Sequence, residues 1–320
     1  MSNPKKKISL VIPVFNEQDN LLWHKDLIIK HFDTLPDYDY EIIYVNDGSS
    51  DNSLNIIREI CADKKNKSKF LSLSRNFGKE AATTAGILSA NGDAVILMDA
   101  DGQHPISLIT SFIELWEKGY DIVVGVRKSN KGEGIVKKYG SLLFYRMLRF
   151  ISGKEVVTGT TDFRLLDKKI VTEFNKLTER NRVTRNLLDW LGFNRVEVPF
   201  TAEERHAGKA TYTFRKLLKL AMNGFVSHST RPLKLIALLG SIISIVSAFA
   251  GVLLAIQKYV FNDPFGLSIT GSALLALFVT FMVGIVLVCQ GLLALYLESV
   301  YYETQNRPLY IVAEKSTKNS

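Results

Sequence analysis

Five short apolar runs recur through the first part of the chain: Ile8 to Phe15, Glu41 to Asn46, Phe70 to Leu73, Ala94 to Met98 and Ile122 to Val126. Each has strand length and is rich in branched side chains, and the stretches between them carry helical periodicity. Strand and helix in alternation predict βαβ units, hence a mainly parallel sheet with helices on both faces. In such sheets ligands bind beyond the carboxyl ends of the strands. Polar clusters fall at those places. Asn16-Glu17 follows the first run, Asn46 to Asp51 the second, Ser74 to Glu80 the third, and Asp99-Ala-Asp101-Gly-Gln103-His104-Pro105 the fourth. Asp51 also suits a helix N-cap.

Asp99 and Asp101 are two carboxylates one residue apart at the end of a buried-type strand, followed by a glycine turn. Hard oxygen ligands of this kind hold Mg²⁺ or Mn²⁺, which neutralises a nucleotide diphosphate in a partly dehydrated cleft. The same residue types also make an ordinary solvated turn. Both readings stand on the motif alone. The formal charge of +8 and pI near 9.2 call for an anionic partner: nucleic acid, membrane lipid or a phosphorylated substrate. Cys61 and Cys289, far apart, support neither a disulfide framework nor a cysteine metal site, so the chemistry is expected to face a reducing cytosol. Met1 to Lys7 is basic, but Ile8 to Phe15 is short and contains Pro13, so no signal peptide is expected.

The C-terminal third differs. No charged residue occurs from Leu235 to Gln257 or from Pro264 to Leu297, and each stretch exceeds the roughly 20 residues that span a bilayer core. Two transmembrane helices are expected. Arg205, Lys209, Arg215, Lys216, Lys219, Arg231 and Lys234 precede the first, so the positive-inside rule places both termini in the cytoplasm. Ile135 to Ile151 and Thr213 to Phe225 each set apolar residues against basic ones, which suits helices lying at a lipid surface or amphipathic core helices. Gly240, Ser244 and Ala248, beside Ser247, Gly251 and Ala255, form small-residue stripes, from which helix packing and a homo-oligomer are expected.

Taken together, Pro13-Val-Phe-Asn-Glu17, Asn46 to Asp51, Arg75-Asn-Phe-Gly-Lys79, Asp99 to Pro105, Thr161-Asp-Phe-Arg-Leu165, Arg205-His-Ala-Gly208 and Glu303 to Tyr310 resemble the membrane-bound polyprenyl-phosphate glycosyltransferases. These are the bactoprenol glucosyltransferases and, more distantly, dolichyl-phosphate mannose synthase. The resemblance covers nearly the whole chain. It implies a family 2 glycosyltransferase of GT-A fold, Rossmann-like with a mainly parallel sheet and two C-terminal transmembrane helices. The implied layout is a catalytic domain over 1–212 with an interfacial helix near 135–151, a juxtamembrane helix over 213–232, a hairpin over 233–298 and a cytoplasmic tail over 299–320. The implied location is the bacterial plasma membrane, multi-pass, with the catalytic domain cytoplasmic.

The resemblance also implies roles. Pro13, Phe15, Glu17, Asp47, Lys79 and Asp99 would bind the nucleotide sugar. Asp99, Asp101 and Gln103 would ligate Mg²⁺ or Mn²⁺. Arg127, Lys137, Lys138, Ser141 and Arg205 would bind the acceptor phosphate. Asp101, Asp162 and Arg205 would be catalytic, with Asp162 where the family's proposed base falls. His104, at a helix start before Pro105, is expected to be structural. Two departures occur: Lys209-Ala-Thr-Tyr212 stands where relatives usually carry Ser-Lys, and Gly102 where Leu is common.

An acceptor phosphate monoester is already mostly a dianion at neutral pH, so such a site needs cations more than a strong base. Arg127 to Arg149 is rich in them. The expected reaction is inverting transfer of one sugar to undecaprenyl phosphate or a similar lipid. UDP-glucose is the first donor, UDP-N-acetylglucosamine next and GDP-mannose third. A separate flippase and a downstream glycosyltransferase would handle the product. The competing readings are a non-catalytic nucleotide-binding membrane scaffold, a nucleic-acid binder and a processive synthase. The basic residues cluster beside the apolar runs with no nucleic-acid motif, which disfavours the second. Asp189 before Trp190 leaves the processive Gln-x-x-Arg-Trp element missing.

Overall fold

The computed structural model describes residues 5–128, 160–180, 182–201, 249 and 271–316. The five apolar runs are strands: β1 (Lys6–Val14), β2 (Tyr38–Asn46), β3 (Ser68–Leu73), β4 (Ala94–Leu97) and β5 (Ile122–Arg127). Between them lie α1 (Leu21–Asp33), α2 (Ser53–Ala62), α3 (Lys79–Ser89) and α4 (Leu108–Glu117). Then come β6 (Thr160–Asp167), α5 (Lys168–Phe174), α6 (Thr184–Trp190), β7 (Arg195–Phe200), α7 (Gly271–Thr304) and β8 (Val312–Lys315). β4 is buried along its whole length, as a strand covered on both faces must be.

The eight strands form one sheet in the order β7-β5-β6-β4-β1-β2-β3-β8. Here the expectation of a mainly parallel sheet is corrected: the sheet is mixed. β1–β2, β1–β4, β2–β3 and β5–β7 are parallel, whereas β4–β6, β5–β6 and β3–β8 are antiparallel. The causes are β6, which enters between β4 and β5 in the opposite sense, and β8, which runs antiparallel to β3 at the edge. An antiparallel neighbour needs no crossover helix, so the βαβ reading had no way to anticipate it.

Two apolar layers cover the sheet. On one face Ile28 and Phe32 of α1, Ile57 of α2 and Phe112 of α4 pack with Leu10, Ile42 and Ile96. On the other, Ala82 and Ala85 of α3 and Leu187 and Leu188 of α6 pack with Val11, Ile43 and Leu97. α3 lies very close to β1, because a Cβ on Gly86 would come within 2.2 Å of Val11 Cγ1. That approach fixes the start of α3, and Lys79 with it, against the strand ends.

The chain divides into two compact units, one of Met1–Lys138, Val157–Thr211 and Asn306–Ser320, the other of Tyr139–Val156 and Tyr212–Gln305. The first holds the whole sheet, including β8, which ties to α2 through a bidentate Arg58–Glu314 pair. Of the second, Phe249 and α7 are described. The expectation of two transmembrane helices is corrected: among the described residues, no helix is long and apolar enough to cross a membrane. Residues 235–257 lie outside the described residues apart from Phe249. An uncharged run measures composition alone, whereas a span is a property of a folded helix. The multi-pass plasma-membrane location rested on those helices and is corrected with them. The helices expected near 135–151 and 213–232 lie outside the described residues.

Candidate active site

At the carboxyl ends of β1 and β2 two polar loops are zipped together. Ser49 Oγ accepts from Asn16 N at 3.0 Å, Asn16 Oδ1 from Ser50 N at 2.8 Å, and Ser53 Oγ from Glu17 N at 2.9 Å. Asp51 takes the backbone N–H groups of Gln18 and Ser53, at 3.3 and 3.0 Å. Gly48, at φ +65°, allows the third loop in: a Cβ there would lie 2.4 Å from the Arg75 carbonyl carbon. Asp47 then holds that loop, with Oδ1 accepting from Phe77 N at 2.7 Å and Oδ2 from Gly78 N at 2.9 Å. Burial raises the Asp47 pKa, and the two N–H groups only partly offset this. Phe15 stands 46 % exposed at the rim.

Lys79 opens α3 immediately after this clamp. Its Nζ lies 2.6 Å from Asp99 Oδ1 and 2.8 Å from Asp162 Oδ2. One ammonium therefore joins the end of β4 to the start of β6, with Lys79 itself 83 positions from Asp162 in the chain. Burial opposes the charge on Lys79, but the two carboxylates outweigh it and raise the pKa. Asp99 is held by its backbone, whose N–H donates to His104 Nδ1 at 3.1 Å. That bond makes His104 the Nε2–H tautomer. The imidazole lies flat on Phe163, ring centres 4.8 Å apart, and burial lowers its pKa. His104 thus shapes the loop. Asp101 is buried, and its Oδ1 accepts from Gln103 N at 3.1 Å.

Asp162 has both oxygens engaged, because Arg185 Nη2 lies 3.0 Å from Oδ1 while Lys79 holds Oδ2. Burial pushes its pKa up, but Lys79 and Arg185 reverse this and hold it at about 2. Two residues on, Arg164 is 1 % exposed. Its Nε donates to Thr161 O at 3.1 Å and its Nη1 to Asp189 Oδ1 at 3.2 Å. From the other side Glu80, next to Lys79, accepts from Thr184 N and Oγ1 at 2.7 and 2.5 Å.

The structure therefore brings Lys79, Asp99 and Asp162 into one ion-paired cluster, and joins the loops bearing Asn16, Glu17 and Asp47 to it. Glu17 accepts from Asn20 Nδ2 at 2.6 Å, and Pro13 lies within β1 opposite Val45. Arg127 closes β5. Lys137, Lys138, Ser141 and Arg205 lie outside the described residues. Arg164 and Arg185 were given no role in the sequence reading. The signal available was an unusual density of arginine, with Arg180, Arg182 and Arg185 close together. Among the described residues no three or more His, Cys, Asp or Glu are grouped to hold a metal ion.

Residues 9–174 match glycosyl transferase family 2. The uncharacterized glycosyltransferase YkcC of Bacillus subtilis (strain 168) is 37 % identical over 95 % of this chain and 92 % of its own length. The SfII prophage-derived bactoprenol glucosyl transferase of Shigella flexneri is 35 % identical over 98 % of this chain and 99 % of its own. Among solved structures, the Mycobacterium tuberculosis glucosyl-3-phosphoglycerate synthase in complex with Mn²⁺, UDP-glucose and phosphoglyceric acid is similar at a TM-score of 0.47 and 16 % identity, over 68 % of this chain and 76 % of that one. The expected resemblance is corrected in one respect. Its family and its bactoprenol relatives stand, but its membrane-bound character is not carried by any described helix.

Proposed function

The chain belongs to glycosyl transferase family 2 and is a sugar-nucleotide-dependent glycosyltransferase related to bactoprenol glucosyl transferases, and from that premise we propose that it transfers one glucose from UDP-glucose to a polyprenyl phosphate with inversion. The observation that carries this is the Lys79 ammonium lodged between Asp99 and Asp162. It is a solvent-accessible cation at the strand ends that an arriving diphosphate can claim. The acceptor follows from the bactoprenol relatives, which align along nearly their whole length.

Asp99, Asp101 and Gln103 would hold Mg²⁺ or Mn²⁺. Two carboxylates and an amide oxygen fit such a cation, which takes one or two protein carboxylates and fills its shell with substrate phosphate and water. Bound there, it would neutralise charge on the departing diphosphate. Phe15 offers an exposed ring to the nucleoside beside Pro13 and Glu17. Asp47 contributes to the base through the lone pairs left after its two backbone bonds. Lys79 moves to a phosphate oxygen as a compact charge on a flexible stem. Arg127, Lys137, Lys138, Ser141 and Arg205 counter the charge of the acceptor phosphate. That phosphate is already ionised, and Asp162, held at about 2 by two cations against its burial, is suited to orient it rather than to take a proton.

Incubation with undecaprenyl phosphate, Mg²⁺ and labelled UDP-glucose, UDP-N-acetylglucosamine or GDP-mannose, followed by organic extraction, tests the proposal. Labelled lipid should form from UDP-glucose and disappear on chelation. Label from GDP-mannose alone would reassign the donor, and no labelled lipid from any donor would overturn the reaction.

A further inference from the structure

We infer that Arg185 is a positioning residue for donor binding: it holds the Asp162 carboxylate so that Lys79 is free to leave for the diphosphate. The inference rests on the donor-site reading above and adds to it a residue outside the motifs that identify the family.

Lys79 is shared. Its ammonium is bound 2.6 Å from Asp99 and 2.8 Å from Asp162, and it must give up part of this pairing to reach a phosphate oxygen. A carboxylate as largely enclosed as Asp162, whose side chain is 24 % exposed, is costly to strip of its only cation. Arg185 removes that obstacle, because its Nη2 lies 3.0 Å from Asp162 Oδ1, the oxygen that Lys79 does not hold.

The helix carrying Arg185 is braced for the purpose. Glu80, adjacent to Lys79, grips Thr184 N and Oγ1 at its first residue. Arg164, two residues beyond Asp162, reaches Asp189 at 3.2 Å and the Arg185 carbonyl at 3.5 Å. Lys79, Glu80, Asp162, Arg164, Thr184 and Arg185 line one cavity of about 10 Å³, room for at most a single water. Within that cavity the carboxylate has the two cations as its partners. Each of the residues Arg185 serves has a near neighbour in sequence that fastens α6.

Calorimetric titration of UDP and of GDP, each with Mg²⁺, into the full chain tests this. Arg185→Ala should weaken binding of the preferred nucleotide about tenfold, because Lys79 is then retained by Asp162. Arg185→Lys should restore most of the loss, with the melting temperature close to wild type in both. In an Asp162→Asn background there is no carboxylate to strip, so Arg185→Ala should change affinity by less than about twofold. A tenfold loss in both backgrounds would overturn the inference by making Arg185 a direct ligand. A fall in melting temperature with unchanged affinity would overturn it by making Arg185 purely structural. Failure of the wild type to bind either nucleotide would overturn the donor reading itself, whereas unchanged affinity in Arg185→Ala, with the wild type binding, would overturn only the role of Arg185.

Discussion

Both ends of the parallel strands carry a carboxylate paired with lysine, yet the two arrangements differ in kind. At the amino end Glu41 accepts from Ser9 Oγ at 2.7 Å and Asn91 N at 2.9 Å, and it lies 3.0 and 3.1 Å from Lys7 and Lys69. One anion there has two cations and two neutral donors, all within or beside the strands. At the carboxyl end the cations no longer outnumber the anions. Asp99 and Asp162 share Lys79, Arg185 holds Asp162 as well, and Asp101 is buried beside them. A saturated carboxylate fastens strands together; a lysine divided between two carboxylates is available to a third anion. The contrast separates scaffold from site without reference to any motif.

The sharpest way to break that contrast is to remove charge from the carboxyl end. Asp101→Asn should lower sugar transfer by about three orders of magnitude, with a melting curve near that of wild type. Transfer near the wild-type rate would remove Asp101 from the machinery. The amino end should answer to pH instead. Burial favours the protonated form of Glu41, but Ser9, Asn91 and Lys7 override it and hold the pKa at about 2, against an ordinary value of 4.5. The unfolded chain therefore binds the extra proton first as pH falls. Glu41 contributes on the order of 3 kcal/mol, present above pH 4.5 and lost as pH falls through about 2. Urea melts from pH 7 to pH 3 should show this loss, and Glu41→Gln should flatten it; the same slope in both would assign the acid lability elsewhere.

The smallest effect marks where the site stops. His24 of α1 is fully buried and neither ring nitrogen has a partner among the described residues. Burial first, then the nearby His104, lower its pKa to about 4, with Asp99 opposing. Replacing an unsatisfied buried polar ring with an apolar one should stabilise by about 1 kcal/mol. His24→Leu should therefore melt higher with transfer within twofold of wild type. A large loss of transfer would draw His24 into the site and blur the boundary.

How much of this was legible in the sequence follows from distance along the chain. β1 to β5 are read from apolar runs, and the loop positions of Asp47, Lys79 and Asp99 follow from them. β7 and β8 escape notice because edge strands are short, charged and interrupted, as Pro199 and Glu314 illustrate. The Lys79–Asp162 pair spans 83 residues, and only the antiparallel entry of β6 brings it together. The clamp that both Asp47 oxygens make on the Phe77 and Gly78 backbone is not announced by any local pattern, because it joins loops about 30 residues apart. The uncharged C-terminal runs illustrate the converse: composition was plain, but it did not establish a spanning helix.

The most direct test of the division between the two ends pairs Lys79→Met with Glu41→Gln, each assayed for transfer and for thermal melting. Lys79→Met should lose transfer and keep its melting temperature, while Glu41→Gln should melt lower and, once folded, transfer at the wild-type rate. The opposite pattern, with Lys79→Met unfolding and Glu41→Gln folded but inactive, would contradict the account.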